Sequence, residues 1–282
     1  MQVTPSQDVI GAEITGVDLG KQLSDTEFVQ IEAAFNRHAV VCFPAQTLDE
    51  PQLIAFARRF GDVEKIFLTH YAHPRYPEIM YVSNIKENGR DIGHADAGSV
   101  WHTDMSYTAR PPRATLLYAL EVPAENGVVL GNTQFSSAAD AYDSLSDAMK
   151  RRIDKLRAIH QVAGRRARTG TGQQDQALRR EQPTVIHPVV RTHPFTGRKC
   201  LYVSKGECQG IEGMPEDEAL ALIDELADVT VEARFRHTHR WRVRDVLMWD
   251  NCSVQHLASF DYKWPQHRRL MHRITVGGSI PA

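Results

Sequence analysis

Hydrophobic and polar residues alternate with a helical period in the first part of the chain. Ser24-Asp-Thr-Glu27 is a capping-box pattern, and apolar residues then follow at helical spacing from Phe28 and Ile31 onward. The pattern predicts a helix that ends near His38. The apolar run at 39–43 that comes next is typical of a buried strand.

Three further helices are predicted from the same kind of pattern. One begins near Asp49, where Pro51 suits the first turn, and is expected to stop at Gly61. A helix of modest length is expected at Ser146–Leu156, and another from Pro215 to Leu226.

Most of the remaining apolar segments are short and predict β-strands. They lie at Thr115–Leu120, Val185–Val190, Lys199–Val203, Val231–Arg236, Val246–Trp249 and Leu270–Val276. Strands spread over a long span, with helices inserted but not alternating, argue against a doubly wound parallel sheet. The pattern favours a mainly β fold with inserted helices, either an antiparallel sandwich or a jelly-roll barrel.

One polar segment differs from the rest of the chain. Residues 164–181 are rich in Arg, Thr, Gly and Gln and contain few apolar anchors. A solvated mobile loop is one interpretation. A lid over a functional site is the other, because long loops near a barrel mouth often cover the site.

Composition and charge exclude several classes of protein. The 282 residues are 42% hydrophobic and 24% charged, with a formal net charge of -2, so we expect neither a nucleic-acid nor a membrane partner. No stretch approaches the roughly 18 apolar residues of a membrane span, and no signal-peptide pattern stands at the start. The four scattered cysteines, without a C-x-x-C pair, indicate a reduced, cytoplasmic protein.

Trp101-His-Thr-Asp104 carries the strongest local chemical signal. Residues two apart in an extended segment point to the same side, so His102 and Asp104 can bind one metal ion together. His256 is the natural third ligand. Two His and one carboxylate on one face of a metal leave positions open, as Fe(II) oxygenases require. Taken alone, the motif equally fits a surface or hydrogen-bonded pair.

Seven blocks of sequence in order add a signal that no single motif gives. They are Gly11–Leu19, His38–Phe43, Ala57–Gly61, Trp101–Asp104, His187–His193, Trp249–Asn251 and Arg268–Arg273. Together they resemble the taurine dioxygenase and phenoxyacetate dioxygenase family over nearly the whole chain. The resemblance implies a double-stranded β-helix (a jelly roll), one catalytic domain over residues 1–282, and the use of Fe(II), 2-oxoglutarate and O₂.

The resemblance also implies where 2-oxoglutarate binds. The family holds the distal carboxylate with the second Arg of an R-R-x-M-H-R block, which is Arg269 here, and a planar guanidinium meets a carboxylate bidentately. The threonine of the family's G-D-T block corresponds to Thr133. Asn132 replaces the Asp of that block, and Glu125–Leu130 holds extra residues. A structural threonine in a turn is therefore the alternative for Thr133.

The two arginines also support an argument that does not depend on the family. Residues 269 and 273 share one face if this segment is a strand, about 13 Å apart at roughly 3.3 Å per residue. Two cations turned into a barrel are costly unless anions meet them. We expect 2-oxoglutarate to meet Arg269 and a small anionic substrate to meet Arg273. The alternative is an exposed strand face on which both are solvated.

The resemblance extends to the substrate pocket. Tyr107 stands where the family has an aromatic wall, and Phe67 and Tyr71 are expected to add to it. Glu64–Phe67 and Gly98–Val100 depart from the taurine enzymes, which counts against taurine itself. The candidate substrates are aryloxyalkanoates, alkylsulfonates, sulfate esters and amino-acid derivatives, and family members suggest a homo-oligomer, either a dimer or a tetramer.

Three other kinds of protein are alternatives to a dioxygenase. A zinc hydrolase also employs two His and an Asp with an open water position. A non-catalytic jelly-roll binding protein would not need an intact metal triad. A halogenase of the same fold lacks the carboxylate ligand, whereas Asp104 is present.

Overall fold

The centre of the structure is a seven-stranded sheet that faces a three-stranded sheet. The computed structural model describes residues 1–65, 68–162, 165 and 183–282. The large sheet runs in the order β1 (Gln2–Pro5), β2 (Ala12–Thr15), β3 (Val40–Phe43), β17 (Val246–Asp250), β7 (Ala114–Glu121), β19 (Leu270–Val276) and β4 (Ile79–Ser83). The small sheet runs in the order β16 (Arg236–His239), β10 (Thr133–Ser137) and β18 (Val254–Ala258).

Shorter strands surround these two sheets. A second three-stranded sheet has the order β12 (Val185–Pro188), β11 (Arg157–His160) and β15 (Cys208–Ile211). Three strand pairs complete the set: β5 (Lys86–Glu87) with β6 (Arg90–Asp91), β8 (Ala124–Glu125) with β9 (Val128–Val129), and β13 (Val190–Thr192) with β14 (Lys199–Leu201). The segment Glu125–Leu130 contains the turn of the β8–β9 hairpin, where Asn126 and Gly127 both have positive φ.

Five helices lie against the sheets within the described residues: α1 (Asp25–His38), α2 (Glu50–Arg58), α3 (Ala138–Ser144), α4 (Asp147–Ile153) and α5 (Glu216–Thr230). The capping box predicted for α1 is confirmed, because the Ser24 hydroxyl accepts from the Glu27 N–H at 3.2 Å and the Glu27 carboxylate accepts from the Ser24 N–H at 2.9 Å. In the described parts of the chain, no helix has both the length and the apolar character needed to cross a bilayer.

Side chains of the large sheet alternate between two apolar layers. The outer cluster joins Leu116 and Ile274 of the sheet to residues of α1 and α2, such as Phe35 and Leu53. The inner cluster lies between the two facing sheets and contains Leu117, Leu247, Met271, Phe135 and Val254. Because strand residues alternate in direction, residues 271, 273 and 275 of β19 point to the inner side.

Several predicted elements differ from the observed ones. Val231–Arg236 was expected to be a strand, but a 3-10 turn occupies Ala233–Phe235 and β16 begins only at Arg236. Val231 and Phe235 are four residues apart, which suits the helical period, and Phe235 is buried against α5. Helix α2 ends at Arg58, slightly before the stop predicted at Gly61. The N–H groups of Phe60 and Gly61 donate to the carbonyls of Ala57 and Arg58, so turns continue as far as Gly61, which has a φ of 147°.

The segment predicted as a loop or lid at 164–181 lies outside the described residues, apart from Arg165, which pairs with Asp224.

Candidate active site

Three potential metal ligands meet at the inner side of the barrel. His102 and His256 form an antiparallel backbone bridge, with N–H···O distances of 3.2 and 2.9 Å. The side-chain donor atoms of His102, Asp104 and His256 all lie within 4.8 Å of one another. The Asp104 Oδ1 atom is 3.6 Å from His102 Nε2 and 3.8 Å from His256 Nε2. His102 Nδ1 lies 2.8 Å from the Val100 carbonyl, which leaves Nε2 for a metal.

A chain of buried hydrogen bonds orients the Asp104 carboxylate. The Thr115 hydroxyl donates to Asp104 Oδ2 at 2.6 Å, and the Asn251 amide donates to Thr115 Oγ1 at 2.9 Å. The Trp249 indole N–H donates in turn to Asn251 Oδ1 at 3.1 Å. These bonds occupy Oδ2 and direct Oδ1 toward the two imidazoles. Trp249–Asn251 is one of the blocks that resemble the family, whereas no role for Thr115 was predicted from the sequence.

Burial and neighbouring charges set the ionisation of the three groups. Burial lowers the pKa of His256 to about 3, and the charge of His102 acts in the same direction. Burial opposes ionisation of Asp104, but Arg273, His256 and His102 outweigh it and hold the pKa of Asp104 well below its ordinary value. Burial also disfavours charged His102, yet the hydrogen bond and charge of Asp104 raise its pKa overall. A neutral imidazole and an ionised carboxylate are the forms that bind metal ions.

Arg273 contacts this cluster directly. Its Nη2 lies 2.9 Å from Asp104 Oδ1, and its side chain is 16% exposed. The Arg273 Nε is buried and has no hydrogen-bond partner. The prediction that Arg273 faces the inside of the barrel therefore agrees with the geometry. Asp104 already supplies one anion to it, which the sequence argument did not foresee.

Arg269 is more deeply buried and less well paired. It is 3% exposed, and Nη1 donates to the Gly131 carbonyl. Among the described residues, no carboxylate forms a salt bridge with it. Burial lowers the pKa of Arg269, although Tyr262 and Asp261 oppose this effect. An isolated buried cation is costly, so its guanidinium is well suited to a carboxylate ligand.

Aromatic residues and a glycine shape the surroundings of Arg269. The rings of Trp241 and Tyr262 lie 5.8 and 5.7 Å from its guanidinium carbon. A Cβ on Gly131 would lie 2.5 Å from Arg269 Nη1, so this position requires glycine. The Trp241 indole N–H donates to Thr133 Oγ1 at 3.1 Å, which brings Thr133 to the same region as Arg269. Trp241 and Tyr262 were missed because they stand in no recognisable motif.

The predicted substrate residues are only partly described. Tyr107 is half-buried in the turn that follows Asp104. Tyr71 packs against the inner cluster and stacks on His94, with ring centroids 5.3 Å apart. Phe67 lies outside the described residues.

Another group of possible ligands is used internally. His193, Asp250 and Cys252 also bring donor atoms within 4.8 Å of one another. His193 Nε2 lies 2.5 Å from Asp250 Oδ2, which also accepts from the Ser253 hydroxyl at 2.8 Å, while Oδ1 accepts from the Cys252 N–H. Burial raises the pKa of the Cys252 thiol well above its ordinary value. Because its carboxylate is fully engaged by protein donors, this group is a less suitable metal site.

Comparisons with known proteins identify the family. The family model described as "Taurine catabolism dioxygenase TauD, TfdA family" matches residues 2–275. The chain belongs to this family. The alpha-ketoglutarate-dependent 2,4-dichlorophenoxyacetate dioxygenase of Cupriavidus pinatubonensis is 32% identical, and the match covers 98% of this chain and 98% of that protein.

Solved structures agree with this assignment to the TauD/TfdA family. A putative alpha-ketoglutarate-dependent taurine dioxygenase from Burkholderia xenovorans superposes with a TM-score of 0.84 at 30% identity, covering 100% of this chain and 91% of that one. AAD-2 in complex with Mn(II) and N-oxalylglycine gives a TM-score of 0.82 at 30% identity, covering 99% and 98%. The predicted jelly-roll fold is confirmed.

Membership of the TauD/TfdA family also gives the enzyme class. The protein is a 2-oxoglutarate-dependent non-haem iron dioxygenase that uses Fe(II), 2-oxoglutarate and O₂. The residues present fit these groups, because two imidazoles and a carboxylate converge and the buried Arg269 guanidinium can donate to a carboxylate. The zinc-hydrolase and binding-protein alternatives gain no support from these relatives.

Proposed function

We propose that residues 1–282 form one catalytic domain that hydroxylates a small anionic substrate at Fe(II) held by His102, Asp104 and His256. The observation that carries this proposal is the presence of two features in one barrel. Three metal donors converge, and Arg269 is a buried cation with no salt-bridge partner among the described residues. A metal site alone would serve a hydrolase equally well, whereas the added cation suits a dicarboxylate cosubstrate.

The side chains have separate tasks in this proposal. Fe(II), 2-oxoglutarate and O₂ together supply the oxidant for a substrate C–H bond, with succinate and CO₂ as coproducts. Arg269 binds the distal carboxylate of 2-oxoglutarate. Thr133 accepts from the Trp241 N–H, which leaves its own hydroxyl hydrogen free to donate to the same carboxylate. Thr115 fixes the orientation of Asp104.

Arg273 is the proposed anchor for the anionic group of the primary substrate. Its contact with Asp104 at 2.9 Å would bring an anion bound on Arg273 close to the metal. The relatives are named for 2,4-dichlorophenoxyacetate, which carries a carboxylate, and for taurine, which carries a sulfonate. Tyr107, Tyr71 and Phe67 are proposed as an aromatic wall, which favours a substrate with an apolar or aryl body.

A substrate panel tests this function. Aryloxyalkanoates, alkylsulfonates, sulfate esters and amino-acid derivatives are supplied with Fe(II), 2-oxoglutarate and O₂, and succinate is measured together with hydroxylated product. We expect one class to give the two products in equal amounts. Failure of every class to produce succinate above the substrate-free rate would contradict the proposal.

Two variants separate the roles of the arginines. Arg273→Leu should weaken binding of the primary substrate while leaving the affinity for 2-oxoglutarate nearly intact. Arg269→Leu should weaken binding of 2-oxoglutarate while leaving the affinity for the primary substrate nearly intact. The opposite pattern would exchange the two assignments. Equal turnover of a neutral analogue by the wild-type enzyme would contradict an anion anchor at Arg273.

We also propose a cytoplasmic location and a homo-oligomer, either a dimer or a tetramer. All four cysteines are free and buried, as is usual in a reducing compartment. Fractionation of cells and light scattering of the purified protein test these two proposals. A periplasmic protein or a monomer would contradict them.

A further inference from the structure

Glu64 lies at the edge of the large sheet, beside the end of β19. Val63 and Val276 form an antiparallel bridge, and the Glu64 N–H donates to the Thr275 carbonyl at 3.0 Å. Val63 and Val276 both pack in the outer cluster. Because successive residues of an extended segment point to opposite faces, Glu64 turns to the inner side with Thr275.

Arg273 lies on the same inner face, two residues before Thr275. Glu64 and Arg273 are therefore diagonal neighbours across adjacent segments, a relationship that brings Cα atoms to roughly 7–8 Å and allows long side chains to interact. Burial raises the pKa of Glu64, and the charge of Arg273 partly opposes this effect. The two groups thus influence each other electrostatically, and Arg273 in turn contacts the metal-ligand candidate Asp104.

The Glu64 carboxylate has no hydrogen-bond or salt-bridge partner among the described residues. It is half-buried, and its Oε1 lies 3.4 Å from the position that a Cβ on Gly277 would take. Glycine at 277 thus leaves room for this carboxylate. Arg273, in contrast, pairs with Asp104 at 2.9 Å. A partly desolvated carboxylate without a donor is unfavourable by itself and suits a ligand that brings one.

We propose that Glu64 is a specificity-determining residue that receives an ammonium group of the primary substrate. The substrate would then be a zwitterion, with its anionic group on Arg273 and its ammonium group on Glu64, as in an amino-acid derivative. This inference rests on the proposed function, because it assumes that Arg273 holds the substrate anion. A substrate with an anionic group but no ammonium group would bring its negative charge near the negative charge of Glu64, with no positive charge to offset the repulsion.

Matched probes that differ only in the amine test this proposal. They are phenylalanine against 3-phenylpropanoate, and taurine against ethanesulfonate. Binding is measured by calorimetry with Mn(II) and N-oxalylglycine bound, so that no turnover occurs. We expect the wild-type protein to prefer the amine-bearing member of at least one pair by about tenfold or more. Glu64→Gln should abolish that preference, because it lowers the affinity for the amine-bearing probe and raises the affinity for the probe without an amine.

The exposed Glu87 of the β5–β6 hairpin provides a matched control. Glu87→Gln makes the same change of charge away from the site and should leave both affinities unchanged. The proposal is overturned if Glu64→Gln changes the affinities for both probes of a pair equally, or changes neither affinity. It is also overturned if the wild-type protein binds no amine-bearing probe.

The affinity for N-oxalylglycine separates this result from the proposed function. Binding of N-oxalylglycine without a preference for the amine would count only against the role of Glu64. Failure of the Mn(II)-loaded wild-type protein to bind N-oxalylglycine would count against the proposed function itself.

Discussion

Arg269→Leu removes a guanidinium that the fold has almost completely desolvated. The side chain is 3% exposed and lies near the rings of Trp241 and Tyr262. A leucine side chain fills part of the space that the Arg269 side chain occupies, while the Gly131 carbonyl loses its hydrogen-bond donor. Among the described residues, no carboxylate is left unpaired by the change. The main expected loss is therefore the interaction with 2-oxoglutarate.

The size of that loss follows from the burial of Arg269. Truncating one partner of a desolvated, hydrogen-bonded charge pair costs about 2–5 kcal/mol. Since each 1.4 kcal/mol corresponds to tenfold in affinity, the KM for 2-oxoglutarate should rise by roughly 30-fold to 4,000-fold. An exposed arginine would give a far smaller effect, because solvent screens its ion pairs.

The neighbouring Arg268 provides the control for this measurement. It is exposed and pairs with Glu121 at 2.6 Å. Arg268→Leu makes the same chemical change one residue away and should leave the KM unchanged. The KM is measured from succinate formation, and calorimetry of the Mn(II)-loaded protein gives the affinity without turnover. A large rise for Arg268→Leu with little change for Arg269→Leu would refute the reasoning.

Three further changes test other parts of the account. Replacing any one of the three proposed metal ligands with Ala should abolish Fe(II) binding and turnover while circular dichroism stays unchanged, and retained iron would remove that residue from the ligand set. Gly131→Ala should raise the KM for 2-oxoglutarate, whereas Gly127→Ala, where a Cβ meets nothing within 4 Å, should not; equal effects would contradict this. Ser24→Ala should lower the free energy of unfolding by about 1 kcal/mol in a denaturant titration, because it removes the N-cap of α1, and an unchanged value would contradict the capping argument.

Local patterns predicted much of the fold because they reflect burial directly. The helix after Ser24 and the strands at Val246–Trp249 and Leu270–Val276 are confirmed. The alternation of side chains in β19 correctly predicted that Arg273 points to the inner side. The strand predicted at Val231–Arg236 is wrong. The spacing of Val231 and Phe235 fits strand alternation and the helical period equally well, and tertiary packing decides between them.

The candidate site was predicted only for residues that stand in a short motif or beside a block that resembles the family. His102 and Asp104 are two apart, so strand geometry links them. The bond from Thr115 to Asp104 joins residues of different elements, and no local pattern reveals it. From the sequence, both Arg269 and Arg273 were expected to need an anionic ligand, whereas the fold already pairs Arg273 with Asp104 and, within the described chain, gives Arg269 no salt bridge to a carboxylate.

Anomalous diffraction at the iron edge tests the central claim most directly. Crystals grown without O₂, with Fe(II) and 2-oxoglutarate present, give the position of the metal independently of activity. The account predicts an anomalous peak between His102 Nε2, Asp104 Oδ1 and His256 Nε2, with 2-oxoglutarate extending from the metal to Arg269. A peak at His193, Asp250 and Cys252 instead, or no ordered iron beside His102, would contradict it.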